Sequence, residues 1–199
     1  MIVLIEGPRG AGKSHLVDDF FSSNTNPDIL YYKFAFSDYI KKLQIEDHET
    51  GPGVHYFSIS NILTILGIST TFFKDKCVVF DRSIFSAYVW SIYRKRMSED
   101  RLVNEFSKIL EDIEYNNCKV IYLTRDESIS TVSRDKDDVF STYENYNVEN
   151  SIFKSIFSRF KNEISDSSRN NEFIEFVNKF DNNSKKEFKQ LIENITNNI

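Results

Sequence analysis

Two rhythms of apolar residues alternate along the chain. Ile2-Val3-Leu4-Ile5, Ile29 to Phe34, Cys77-Val78-Val79-Phe80, Lys119 to Leu123 and Phe173 to Val177 are short, mostly unbroken apolar runs, as buried parallel strands carry. Between them apolar residues recur at helical spacing. The predicted helices are Lys13 to about Phe21, Ser37 to Leu43, His55 to Phe73, Ile84 to Met97 and Glu99 to Tyr115. A long helix marked by Phe153, Ile156, Phe157 and Phe160 follows, and Lys185 to Ile195 is the last. Polar punctuation separates them: SSNTNPD after the first helix, IEDHETGPG as the longest loop, and Asp181-Asn182-Asn183-Ser184 as turn and cap. Strand and helix in alternation predict an α/β fold, a parallel sheet of five strands with helices on both faces. With no Pro- and Gly-rich linker and no internal repeat, residues 1–199 are expected to form one domain.

The first strand-to-helix junction reads GPRGAGKS, residues 7–14, with the spacing G-x-x-x-x-G-K-[ST]. Gly7, Gly10 and Gly12 let the backbone curl so that its N–H groups face inward at the positive end of a helix dipole, a cradle for oligophosphate. Lys13 is placed to reach the β and γ phosphates, and the Ser14 hydroxyl suits Mg²⁺, which prefers oxygen ligands. Pro8, Arg9, Ala11 and His15 complete the predicted nucleotide-binding stretch. ATP and Mg²⁺ are therefore the expected cofactors.

The third strand ends in Asp81-Arg82-Ser83. Ligands of open α/β sheets bind at the carboxyl ends of strands, so Asp81 is a candidate for the Mg²⁺ shell or for the acceptor hydroxyl. Arg82 carries a planar fork that grips phosphate bidentately. A strand-end salt bridge between the two is the structural alternative.

Composition narrows the partners. A chain of 199 residues buries about 70% of its unfolded surface without staples. Cys77 and Cys118 each open an apolar run and read as buried hydrophobes, and with three scattered histidines the chain offers no zinc pattern. The net charge of −5 and pI near 5.3 favour small-molecule substrates over a broad nucleic-acid footprint. With no leader pattern and no membrane segment, a cytoplasmic protein is expected.

Together IEGPRGAGKS, FDRSIFSAYVW, IYLTRDES and EFIEFVNKFDNNS resemble the thymidylate kinase and deoxynucleoside kinase group of P-loop kinases, in that group's order and across most of the chain. Glu6-Gly7, Asp81-Arg82 and Ser86 are the more specific markers. The resemblance implies a three-layer fold with strand order 2-3-1-4-5 and transfer of the ATP γ-phosphoryl to a nucleotide or nucleoside. It places Asp81 and Arg82 at the acceptor and implies a lid at about 125–141 whose cations, Arg134 and Lys136, close over ATP. A homodimer is compatible with it.

Three departures bear on the acceptor. Thymidylate kinases usually have an acidic residue at the third loop position, contacting the sugar 3′-hydroxyl, where this chain has Arg9. No Gln stands near Trp90 or Ser91 to read thymine, and the end of strand two offers only Lys33, which reads as a solvated strand end. A (deoxy)nucleoside monophosphate is the favoured acceptor on account of Arg82. The alternatives are a deoxynucleoside, a polynucleotide end or DNA base, and water in a nucleotide-binding switch or ATPase. Of the remaining residues, Arg94-Lys95-Arg96 read as a solvated helix end, and His15, His48 and His55 as structural or surface residues. Tyr56, Phe57, Tyr88 and Trp90 sit where a base could stack, but their helical spacing favours core.

Overall fold

The computed structural model describes residues 1–34, 51–112, 117–129, 143–164 and 171–197. The short helix expected over 37–43, His48, and the segment with Arg134 and Lys136 lie outside these residues. Strands β1 (Ile2–Glu6), β2 (Ile29–Lys33), β3 (Cys77–Asp81), β4 (Cys118–Arg125) and β5 (Glu172–Asn178) alternate with helices α1 (Lys13–Ser23), α2 (Gly51–Phe72), α3 (Ile84–Tyr93), α4 (Glu99–Asp112), α5 (Tyr143–Ile164) and α6 (Asn182–Thr196). The sheet is parallel throughout, in the order β2-β3-β1-β4-β5.

The period-two geometry of strands divides the apolar runs between two cores. Ile2 and Leu4 of β1, Val78 and Phe80 of β3, and Val120 and Tyr122 of β4 face one side, where they meet Ile59, Ile62 and Leu66 of α2, Phe85 and Tyr88 of α3, Leu102 and Phe106 of α4, and Phe153 and Phe157 of α5. Val3, Ile5, Val79, Ile121 and Leu123 face the other, against Leu16, Val17 and Phe20 of α1 and Phe188 and Ile192 of α6. Both faces of the three central strands are thus covered, which is why their sequences run apolar without alternation. Each large apolar side chain so buried contributes about 1.5–3 kcal/mol relative to exposure. No helix among the described residues is long and apolar enough to cross a membrane.

The structure moves several element boundaries. Helix α2 already includes Gly51, four residues before His55. Helix α3 stops at Tyr93 and not at Met97: Arg94 leaves the helix and Lys95 has φ 51°, in the left-handed region. Asn182 to Ser184 are the first turn of α6, and Asp181 alone is the cap, accepting from the Ser184 N–H at 2.7 Å.

Both cysteines are buried, and burial pushes their thiols up, to about 11 for Cys77 and about 12 for Cys118, so they are inert core residues. His55 is fully buried where α2, α3 and α4 meet, with Nδ1 2.8 Å from Ser91 Oγ and Nε2 3.3 Å from Glu105 Oε1. Burial holds its pKa below the ordinary value, helped by Arg96 and Arg101, while Glu105 pulls the other way. The folded state therefore keeps His55 neutral and the unfolded state protonates it first. Its contribution is whole above the unfolded pKa of about 6.5 and is lost as pH falls below it. The melting temperature should drop further between pH 7.5 and 5.5 for the wild type than for His55→Gln; parallel curves would contradict this.

Candidate active site

Strand β1 delivers the chain into the loop 7–12 with Glu6 as its last residue, wholly buried. The glycines at the two ends of the loop are required by space as well as by backbone angle. A Cβ on Gly7 would lie 2.0 Å from the Leu123 carbonyl oxygen of the adjacent strand, and φ is 143°. One on Gly12 would lie 2.3 Å from Asn178 Nδ2, and φ is 85°. Gly10, at φ 78°, is the third left-handed position. Asn178, at the end of β5, donates to the Ala11 carbonyl at 3.0 Å and accepts the Phe180 N–H at 2.8 Å, so β5 holds the loop from one side.

Lys13 opens α1 and is 4% exposed, its ammonium donating to the carbonyls of Gly7 at 2.5 Å and Pro8 at 2.8 Å. Burial, with Arg82 second, lowers its pKa to about 7, against the opposing pull of Asp81, Glu149 and Glu6. The Ser14 hydroxyl donates to Asp81 Oδ2 at 3.0 Å, joining the loop to the end of β3. Asp81 is 2% exposed, and its Oδ1 is buried with no hydrogen-bond partner among the described residues. Lys13, Ser14, Asp81 and Arg82 stand together where β1 and β3 end. His15 is exposed on α1.

Arg82 stands at φ 75°, unusual for a side chain of its size, and its N–H donates to the Ile5 carbonyl at 3.0 Å. Glu6 supports this turn. It accepts from the Ser83 N–H at 2.7 Å, from the Ser83 hydroxyl, and from the Ser86 hydroxyl at 2.5 Å. Ser83 occupies the cap position of α3 without capping it, because its hydroxyl is spent on Glu6. Burial pushes the Glu6 carboxyl up, while the two serines, Lys13 and Arg82 pull it down. In the sequence Glu6 stood only as a resemblance marker; the structure gives it the task of fixing the Asp81–Arg82 turn against β1.

Arg9 does not line the cradle alone. Its guanidinium carbon lies 3.4 Å from the centre of the Trp90 ring, its N–H donates to Glu149 Oε2 at 3.2 Å, and its Nε is 3.8 Å from the same oxygen. Of the four aromatics read as core, Tyr88 is buried, Trp90 is half-buried, and Tyr56 and Phe57 are exposed, at 43% and 40%, because α2 turns them outward. Lys95 is exposed as expected, whereas Arg94 and Arg96 are half-buried, with Arg94 5.5 Å from Trp90. Lys33 is exposed and pairs with Asp18 at 3.5 Å. At the far end Arg125 closes β4, 3% exposed and 3.8 Å over the Tyr146 ring, and 126–129 form a turn on Asp126. The rest of the expected lid lies outside the described residues.

Sheet order and the G-x-x-x-x-G-K-[ST] loop between β1 and α1 define a P-loop fold, with an Asp-Arg pair at the end of β3. Solved structures share it. NadR in complex with NR is 14% identical with a TM-score of 0.64, covering 98% of this chain and 51% of that one. Deoxyadenosine kinase from M. mycoides, with the products dCMP and a flexible dCDP bound, is 14% identical with a TM-score of 0.60, and both chains are covered in full. Thymidylate kinase from Candida albicans is 17% identical with a TM-score of 0.58, covering 99% of this chain and 91% of that one. The chain thus spans about half the length of the NadR chain and nearly all of the two kinases. No family model and no curated protein matches the sequence.

Proposed function

We propose that this protein is a kinase that transfers the γ-phosphoryl of ATP to a (deoxy)nucleoside monophosphate. The observation that carries the reading is the 3.0 Å hydrogen bond between Ser14 and Asp81, which joins the loop to the β3 carboxylate beside a buried lysine and an arginine. The donor set fits Mg²⁺. Ser14 Oγ and Asp81 are hard oxygen ligands, and Asp81 Oδ1 is a buried carboxylate oxygen without a hydrogen-bond partner among the described residues. Bound there, Mg²⁺ would neutralise charge on the phosphate oxygens as transfer proceeds.

The chain's own residues do the rest. The loop N–H groups and the start of α1 hold the ATP phosphates, and Lys13 exchanges the Gly7 and Pro8 carbonyls for phosphate oxygens. Asp81 orients what binds between Ser14 and the acceptor, and Arg82 grips the acceptor phosphate. Glu6, through Ser83 and Ser86, keeps that turn in place. Arg134 and Lys136 take the lid role in this reading.

Purified protein given labelled ATP and Mg²⁺ should phosphorylate nucleoside monophosphates in preference to nucleosides and oligonucleotides. Hydrolysis without any acceptor would turn the reading to an ATPase. Arg82→Ala should raise KM for the acceptor by on the order of tenfold or more while KM for ATP changes little, since it removes binding to one substrate only. Equal effects on both substrates would contradict the assignment of Arg82.

A further inference from the structure

The contacts of Arg9 set it apart from the rest of the loop. The loop has three positive-φ glycines, which have more conformational freedom to lose on ordering than other residues would. Within it the Ala11 N–H turns back on the Pro8 carbonyl at 3.3 Å. Arg9 ties the loop tip outward to two helices. The backbone N–H goes to Glu149 of α5, and the guanidinium lies against Trp90 of α3. Indole is the preferred ring for a cation, and only a planar guanidinium can stack on it face to face. Trp90 is one helical turn beyond Ser86, on the face of α3 that meets Glu6. The Tyr93 hydroxyl, donating to Asn145 Oδ1 at 2.9 Å, joins α3 to α5 just behind. Glu149 is 4% exposed, so a carboxylate taken out of water there is balanced by the arginine it holds.

We propose that Arg9 is a positioning residue, held by Trp90 and Glu149 so that the tip of the phosphate loop is set in its binding conformation against α3 and α5. This rests on the reading of the loop as a nucleotide site. Ordering done before the ligand arrives does not have to be done at its expense, so the arrangement raises nucleotide affinity without itself contacting phosphate. It also couples the loop to α3, the helix that follows Asp81 and Arg82. Arginine at the third loop position thereby has a use that requires no anion on the acceptor sugar.

The test uses the full chain and its single tryptophan. Calorimetry with a non-hydrolysable ATP analogue and Mg²⁺ gives affinity without turnover, and Trp90 emission in ligand-free protein reports the stacked cation. Arg9→Ala and Trp90→Leu should each weaken analogue binding by about tenfold. The double variant should be no weaker than either single one, because both remove the same interaction. Trp90→Phe, which keeps a ring and the packing, should recover most of the affinity, and Arg9→Lys should not. Arg9→Ala should shift Trp90 emission, and Glu149→Gln should shift it in the same direction. Losses that multiply in the double variant, or an Arg9→Ala protein with wild-type affinity and emission, would overturn the positioning role while leaving the kinase reading standing. Should Trp90→Leu fail to fold, the comparison of Arg9→Ala with Arg9→Lys and Trp90→Phe decides alone. A wild-type protein that binds no analogue overturns both readings together.

Discussion

Lys13→Ala is expected to lower kcat by on the order of 10²-fold or more while the protein still folds. Lys13 is 4% exposed, its ammonium between its own loop carbonyls, so in the kinase reading it needs no large movement to act. Burial and Arg82 lower its pKa to about 7, which means that the lysine holds its charge weakly near neutral pH. Oligophosphate oxygens would raise that pKa and fix the charge where negative charge gathers in the transition state. Alanine removes this and leaves the Gly7 carbonyl without its lysine donor, the Pro8 carbonyl keeping the Ala11 N–H, but it also removes a buried cation, so the melting temperature should change little. Single-turnover transfer from labelled ATP measures the effect directly. Wild-type turnover in Lys13→Ala would sink the assignment of the loop.

The strands and their order of appearance were legible because burial on both faces forces unbroken apolar runs such as Cys77-Val78-Val79-Phe80, and the glycine-rich turn from β1 into α1 was legible because it is local. What the sequence concealed is long-range. Glu6 bonds residues 77 and 80 positions away, and Arg9 meets a carboxylate 140 positions away. A buried Glu or Arg looks in sequence like any solvated one, since its partner, and not its neighbours, decides its burial. Asn178 was hidden for the same reason: it closes β5 as a plain polar residue, and its use appears only when Ala11 and Gly12 come to rest on it. Periodicity erred where it could not count faces. Tyr56 and Phe57 follow His55 directly, and the helix buries His55 while turning both aromatics to the surface. The end of α3 was missed because Lys95 takes a left-handed turn without the glycine that usually announces one.

The second large effect is expected at Asp81. Asp81→Asn keeps the shape of the side chain and an oxygen that can accept the Ser14 hydroxyl, now at 3.0 Å from Oδ2. The amide nitrogen then faces the position of Oδ1, which in the wild type is a buried carboxylate oxygen without a hydrogen-bond partner among the described residues. An N–H₂ group there can neither ligate a cation nor accept a proton from an acceptor hydroxyl, so both proposed uses of Asp81 are lost together. Turnover should fall by on the order of 10²-fold, and the fold should survive, because one neutral hydrogen bond replaces a charged one at a site that is otherwise unchanged in volume. The two uses separate in the Mg²⁺ dependence. A metal ligand makes the residual activity of Asp81→Asn require much more Mg²⁺ for half-maximal rate, whereas a proton acceptor leaves that requirement near the wild-type value. A variant that melts early but turns over normally when folded would show that Asp81 serves the strand end alone, and Ser14 would then have to hold the metal with the phosphates and water.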